Sequence, residues 1–399
     1  MEKTDFKYMS KNDKTLKSPG LAYRRIVIKL GTHLLTGSDS RLDITVMSSL
    51  AKQIAGLHAQ GAEVIIVSSG AVAAGRYKLG ITGKIKGIPY KQVLASVGQS
   101  RLMNTYEKIF EPHNITIAQA LLTKTDIADR AGYLNARNTL LALMELGVIC
   151  IVNENDVVSA DEIKENKFGE NDILSAMVAN LIDADMLMIL SDTGGLYTAD
   201  PRLDHEARLV PLVKKIDASI RRLCSDSSSG VGTGGMITKI EAAKIATASG
   251  VRVVIAAGRE PDIILKLAAG DTRGTHFLPT ISHRESRQRW MVSGLSIKGK
   301  LIIDAGAATA LQKQNRSLLA AGVQSVEGKF GRGDMVGIYD TESTQIGCGI
   351  TNYSSADIGK IKGASSNNIA SLLSIDYGPE VVHRNNLALL EREESSAHR

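Results

Sequence analysis

A run of glycines and small residues ending in a lysine, SSSGVGTGGMITK over residues 227–239, is the first place in this chain where chemistry suggests itself. Backbone N–H groups without side-chain cover suit an anion, and a nearby lysine would strengthen the grip. The stretch contains the string G-x-G-x-x-G at Gly230, Gly232 and Gly235. It is no Walker A loop, because Met236 follows Gly235 where that motif needs a lysine. Nor is it a Rossmann turn, which must directly follow a strand, since the preceding RRLCSDSSS is polar. The protein-kinase sequences V-A-I-K and H-R-D are absent. What remains is a helix starting near Met236, with Lys239 in its first turn and unpaired N–H donors at its N-terminus. Taken alone, the stretch fits a phosphate-holding loop and a plain surface loop equally.

Other segments carry a matching set of groups. Lys29 sits inside an apolar run before LGT, where an unpaired ammonium would be costly unless it snorkels or meets an anion. Ser68, Ser69 and Gly70 close a second apolar run. VNEND delivers Asn153, Glu154, Asn155 and Asp156 in one turn, and GENDILSA puts Asn171 and Asp172 at a helix start. Asp192 follows a further apolar run in ILSDTGGLYTADPR. Each has an ordinary alternative: a helix cap for Ser69 or Asp172, a turn for Asp192. All of them at one sheet edge is a different matter, because open α/β sheets bind ligands beyond the carboxyl ends of their strands.

Two lysines and glycine-rich turns with no nucleophile point to phosphoryl transfer, which works by positioning and charge neutralisation. No serine–histidine–acid set is evident, and His33 near the candidate site fits packing or the surface better. A carboxylate acceptor suits such a site. Its ordinary pKa of about 4.3 leaves it ionised at neutral pH, so no general base is required. The difficulty is then repulsion between two anions, which Lys29 and Lys239 would offset.

The elements that must position these groups are legible from periodicity. Residues 26–30, EVIIVSSGA, ITIAQALL, VICIVNEND, ADMLMIL and VRVVIAAG read as strands, apolar on both faces. Between them lie helical patterns, such as Ile44, Met47, Leu50, Ile54 and Leu57 ahead of Gly61, and YLNARNTLLALMELG. Alternation of this kind predicts an α/β fold, a mainly parallel sheet sandwiched by helices. Past residue 280 the pattern changes. Short glycine-punctuated pieces, KGKLIID, GKFGRGDMVGIYD and QIGCGITNYS, predict a small, mostly β second domain, preceded by a basic linker.

Composition narrows the class. The net charge of +6 comes largely from the lysine-rich first residues and from HRESRQR, so a solvated tail fits better than a nucleic-acid arm. Three scattered cysteines, without C-x-x-C spacing, fit a reducing, cytoplasmic setting and no structural metal. No secretory h-region is evident at the start, and no apolar run approaches the roughly 18 residues of a membrane span.

VIKLGTHLLTG, IIVSSGAVAAGR, ASVGQSRLM, YLNARNTL, IVNENDVVSADEIK, ENDILSA, LSDTGGLYTADPR and GTGGMITKIEAAKIA, in that order, resemble the glutamate 5-kinase group of the amino acid kinase family. IIDAGAATAL and GKFGRGDMVGI are similar to the PUA domain carried by bacterial members. The resemblance runs from about residue 24 to the end; with the composition and the change of pattern it divides the chain into a disordered tail over 1–22, a kinase domain over 23–280, a linker over 281–296, a PUA-like domain over 297–380 and a tail over 381–399. It implies that Lys29 and Lys239 bind the ATP phosphates and the transferred group, with Asp172 orienting them. Ser69, Asn153, Asp156 and Asn171 would bind L-glutamate. Ser191, Asp192 and the loop Thr233, Gly234, Gly235, Met236, Ile237, Thr238 and Lys239 would line the nucleotide site. The implied reaction takes ATP, with Mg2+, and L-glutamate to γ-glutamyl phosphate, the first step of proline biosynthesis. Feedback inhibition by proline, a homo-oligomer (dimer or tetramer) and glutamate-5-semialdehyde dehydrogenase as a partner are implied in the same way. Glu170 and His33 stand where the family more often has aspartate and serine, which bears on glutamate and proline affinity.

Two alternatives stand beside this. Another small-molecule kinase of the same fold would act on carbamate, acetylglutamate or a phosphate acceptor. A phosphate acceptor would call for an arginine cluster, and only Arg76 and Arg101 are at hand. An RNA-binding protein acting through the PUA-like domain would call for a basic surface. Residues 297–379 hold eight Lys or Arg against seven acids, a balance of about +1 and too little for such a footprint.

Overall fold

The structure, a computed structural model, describes residues 21–37, 41–83, 87–158, 170–225, 234–279, 297–314, 316–373 and 377–390. The linker 281–296, residues 1–20 of the expected N-terminal tail and residues 391–399 of the expected C-terminal tail lie outside the described residues.

The first unit is built on one eight-stranded sheet. Its strands are β1 (Arg25–Leu30), β2 (Glu63–Ser68), β3 (Ile117–Leu122), β4 (Ile149–Glu154), β5 (Met186–Ser191), β6 (Leu212–Val213), β7 (Arg252–Ala257) and β8 (Thr275–Phe277). They lie in the order β3-β4-β2-β1-β5-β7-β8-β6. Every pairing is parallel except β7 with β8. The central strands are buried on both faces because helices cover both, as their unbroken apolar runs require.

Strand alternation divides the side chains between two cores. Ile26, Ile28 and Leu30 join Val64, Ile66, Ile149 and Ile151 on one face, under the helices Ile44–Ala59 and Ile88–Phe110. Val27, Ile65, Val67, Cys150 and Val152 face the other way, under the helices Arg130–Glu145, Glu170–Leu181 and Gly234–Ala248. The same period puts Lys29 on the face of Val27, and Asn153 on the face of Ile149 and Ile151. The lysine therefore meets the helices that carry Asp172 and Lys239, while Asn153 meets the helix Ile88–Phe110.

That last helix approaches unusually closely. A Cβ on Gly98 would stand 1.7 Å from the carbonyl oxygen of Ala71, and one on Gly75 1.9 Å from that of Leu94. Only glycine lets the helix Ala71–Lys78, which starts just after Ser69, touch Ile88–Phe110 backbone to backbone. Arg137 ties the second face together. Buried on the helix Arg130–Glu145, it donates to the carbonyl of Leu181 and to Asp183 at the far end of the helix that begins with Glu170.

The second unit has a five-stranded sheet ordered β11-β9-β12-β13-β15, made of β9 (Gly299–Ile303), β11 (Val323–Gly328), β12 (Met335–Tyr339), β13 (Gln345–Ile350) and β15 (Leu387–Leu389). A two-stranded sheet of β10 (Leu318–Leu319) with β14 (Glu380–Val382) sits beside it. The five-stranded sheet runs on to Leu389, past residue 380, where the sequence predicts a tail, because Leu387 and Leu389 pair with β13. Leu134 packs among Met335, Cys348, Ile350 and Ala388, and Arg130 pairs with Asp334 at 2.6 Å, joining the helix Arg130–Glu145 to this second unit.

Candidate active site

The carboxyl ends of β1, β2, β4 and β5 converge on one charged cluster and one neutral one. Lys29 is the penultimate residue of β1, in register with Val67 on β2 and Ile189 on β5. Its Nζ lies 2.6 Å from Oδ1 of Asp172, in the first turn of the helix Glu170–Leu181. The other carboxylate oxygen of Asp172 accepts from Thr238 Oγ1 at 2.8 Å and lies 3.7 Å from the Lys239 ammonium. Lys239 also donates to the carbonyl of Gly235, 2.8 Å away, one turn earlier in its own helix. Asp172 is 1 % exposed and Lys29 5 %. Two cations and one anion thus share a buried spot with a net charge of +1.

The protonation states follow from this crowding. Burial alone would raise the Asp172 pKa, but Lys29, Lys239 and the Thr238 hydroxyl together hold it below the usual carboxylate range. The Lys239 pKa is lowered as well, which for an ammonium weakens the charged form. Burial lowers its pKa most, Lys29 lowers it further, and the carboxylates of Asp172 and Asp192 oppose the shift. Asp192 is exposed, just beyond Ser191 at the end of β5, so it reaches Lys239 only through its field.

The neutral cluster lies beside it. Asn171 donates from Nδ2 to Ser69 Oγ at 3.1 Å and to Asn153 Oδ1 at 3.1 Å. Asn153 in turn donates to Oε1 of Gln99 at 2.9 Å. Ser68, buried on β2, shares a 2.8 Å hydrogen bond with the hydroxyl of Tyr106. Burial raises the Tyr106 pKa, with the Ser68 contact opposing it, so the phenol stays protonated as a neutral strut.

The structure thus gathers Lys29, Asp172, Thr238, Lys239, Ser69, Asn153 and Asn171. Gly235 lies against the Lys239 ammonium, since a Cβ there would be 3.5 Å from its Nζ. Met236 packs into the core on the second face and Ile237 is exposed, so neither side chain joins the charged cluster. Ser191 binds Thr193 rather than the lysines, at 3.0 Å. Asp156 occupies the turn after β4, partly buried. Gly234 opens the helix that carries Lys239, and Thr233 lies outside the described residues. Gln99 and Tyr106 were not singled out from the sequence. A glutamine next to a glycine inside a helical run reads as surface until the Gly98 contact shows that face to be covered.

An anion placed between two ammonium groups, at the edge of a parallel sheet and beside hydroxyl and carboxamide donors, defines a kinase for small molecules. The chain belongs to the amino acid kinase family, and to its glutamate 5-kinase branch. It matches the amino acid kinase family over residues 24–257 and the PUA domain over residues 299–373. The glutamate 5-kinase of Dehalococcoides mccartyi is 59 % identical over 371 residues, covering 93 % of this chain and 100 % of that one. The glutamate 5-kinase of Herpetosiphon aurantiacus is 46 % identical, covering 92 % and 98 %. That of Geobacter sulfurreducens is 48 % identical with the same coverage. Membership of a kinase family makes ATP the phosphoryl donor.

Proposed function

We propose that the enzyme phosphorylates the γ-carboxylate of L-glutamate, and that the Lys29–Asp172–Lys239 cluster carries the reaction. A carboxylate oxygen attacks the γ-phosphorus of ATP, the bond to the ADP oxygen breaks, and ADP leaves as an anion. No proton has to move, so the reaction needs no general base. Lys29 and Lys239 neutralise the transferring group and the repulsion between two anions. Asp172 holds the two ammonium groups together but is itself fully engaged, so Mg2+ would arrive with the nucleotide phosphates. Among the described residues, no group of three or more His, Cys, Asp or Glu is placed to hold a metal.

On the acceptor side, Ser69, Asn153, Asp156 and Asn171 bind glutamate. On the nucleotide side lie Ser191, Asp192 and the segment from Thr233 to Lys239. Magnesium dependence, inhibition by proline and use of the product by glutamate-5-semialdehyde dehydrogenase belong to this reading and rest on the family resemblance of the sequence alone. A homo-oligomer is supported by the exposed Tyr77, Leu79, Tyr90, Val93, Val157 and Val158, which a second copy would cover. Localisation in the cytoplasm belongs to this reading and rests on the scattered cysteines; among the described residues no helix is long and apolar enough to cross a membrane.

The test is an ATP-dependent assay across L-glutamate, L-aspartate, N-acetylglutamate and carbamate, each with and without proline. Turnover with glutamate, reduced by proline, is expected. Activity confined to another acceptor would overturn the substrate assignment.

A further inference from the structure

The orientations of the carboxamides in the neutral cluster are set by one group that can only donate. The backbone N–H of Glu154 donates to Oδ1 of Asn153 at 2.9 Å, so that atom is the oxygen. The Asn153 amide nitrogen must then face Gln99, which must present its own oxygen at 2.9 Å. Asn171 must present its nitrogen to Asn153 Oδ1 at 3.1 Å. The row runs in one direction, and the nitrogen of Gln99 is left over. Gln99 Nε2 is covered from solvent and has no hydrogen-bond partner among the described residues, although the residue as a whole is only half-buried. A covered amide donor without an acceptor is a standing cost, relieved when a ligand brings one.

We propose that Gln99 is a specificity-determining residue of the acceptor pocket, donating from Nε2 to the carboxylate of the acceptor that is not phosphorylated. This rests on the glutamate kinase assignment. Asn171 adjoins Asp172, and Gln99 is two carboxamides further along the row, the end away from Lys29 and Lys239. The reacting carboxylate belongs at the lysines, so a second carboxylate is what the far end can take. A carboxamide does this without adding a buried charge. The Gly98–Ala71 contact brings the residue there by pressing its helix onto the one that follows Ser69.

The test compares full-length wild type with Gln99→Glu and Gln99→Met in steady-state kinetics and thermal melting. Glutamate at position 99 keeps an oxygen for Asn153 but replaces the donor by a negative oxygen. Methionine keeps the shape and removes both. We expect the KM for L-glutamate to rise about 10-fold in Gln99→Met and about 100-fold in Gln99→Glu, the scale of a lost hydrogen bond to a charge with repulsion added. The KM for ATP and the melting temperature should stay near wild type. If Gln99 merely supports Asn153, Gln99→Glu will resemble wild type and only Gln99→Met will suffer, which overturns the proposal. Unchanged KM in both variants overturns it as well. A wild type inactive on glutamate but active on carbamate, which has no second carboxylate, overturns this and the function together. Activity on N-acetylglutamate alone overturns only the substrate assignment, and the two variants then test Gln99 against that acceptor.

Discussion

Two halves of one site sit side by side at the same sheet edge and are made of different material. One is charged: Lys29 and Lys239 each lie within 3.7 Å of the Asp172 carboxylate, which a hydroxyl backs. The other is neutral: Ser69, Asn171, Asn153 and Gln99 in a row of carboxamide hydrogen bonds near 3 Å. The difference matches the work that the proposed function gives each half. Charge that moves during phosphoryl transfer has to be met by fixed opposite charge, and an anion between two cations keeps those cations in place while the site is empty. Choosing an acceptor needs direction rather than charge, and a carboxamide supplies a donor and an acceptor without the desolvation cost of an ion. The charged half should therefore govern turnover, and the neutral half should govern glutamate affinity.

The most severe break is Lys239→Ala. We expect kcat to fall about 1000-fold or more with the melting temperature little changed, on the scale of removing one transition-state donor. Near-normal turnover would remove Lys239 from the chemistry. Asp172→Asn should come next, with kcat down about 100-fold and lower stability, because two buried ammonium groups then face each other uncompensated. It also carries an acid signature. The folded Asp172 pKa lies below its unfolded value, so its stabilisation is present above about pH 3.9 and is lost as pH falls through the folded pKa. The asparagine variant should lack that part of the acid loss in pH-dependent melting curves.

A smaller effect lies in the alkaline range. The Lys239 pKa is lowered in the folded protein, so its ammonium deprotonates before a free lysine would at about 10.4. The KM for ATP should rise by up to about 10-fold as pH climbs through that lowered value, since the phosphates lose a cation. Arginine stays protonated, so Lys239→Arg should flatten the slope whatever it does to the rate. An unchanged slope would mean that another group titrates. On the neutral side, Asp156→Ala and Asn153→Ala should each raise the KM for glutamate about 10-fold with the KM for ATP within a factor of two. An effect on ATP alone would show that the halves have been assigned in reverse.

The two halves were not equally legible in the sequence. Lys29 stood out because an ammonium in an apolar strand needs an anion, and strand alternation then fixes which helices can supply one. Asp172 and Lys239 each had an innocent alternative as a helix cap or a loop residue, and gained meaning only by sharing the lysine's face. The parallel sheet was legible for the same reason, since strands buried on both faces leave unbroken apolar runs. Gln99 was not legible, because its position depends on two glycines, Gly75 and Gly98, whose close contact no local pattern announces. The end of the second domain was also obscured. β15 is three residues long, too short for periodicity to register, and it exists through its pairing with β13.

The weakest predicted effect asks whether the neutral half leans on the second domain. The helix Arg130–Glu145 leads into β4, which carries Asn153, and its first residue pairs with Asp334 across the domain boundary. A rigid coupling would make the acceptor pocket sensitive to that pair. Yet Arg130 is 45 % exposed at its side chain, and such pairs are worth about 0–1 kcal/mol. The buried contact of Leu134 with Met335 and Ile350 remains when the pair is cut. Arg130→Ala should therefore change the KM for glutamate less than twofold and leave kcat unchanged. A rise as large as that for Asn153→Ala would mean that the selecting half of the site is held in shape by the PUA domain, and that the two halves differ in what supports them as well as in what they are made of.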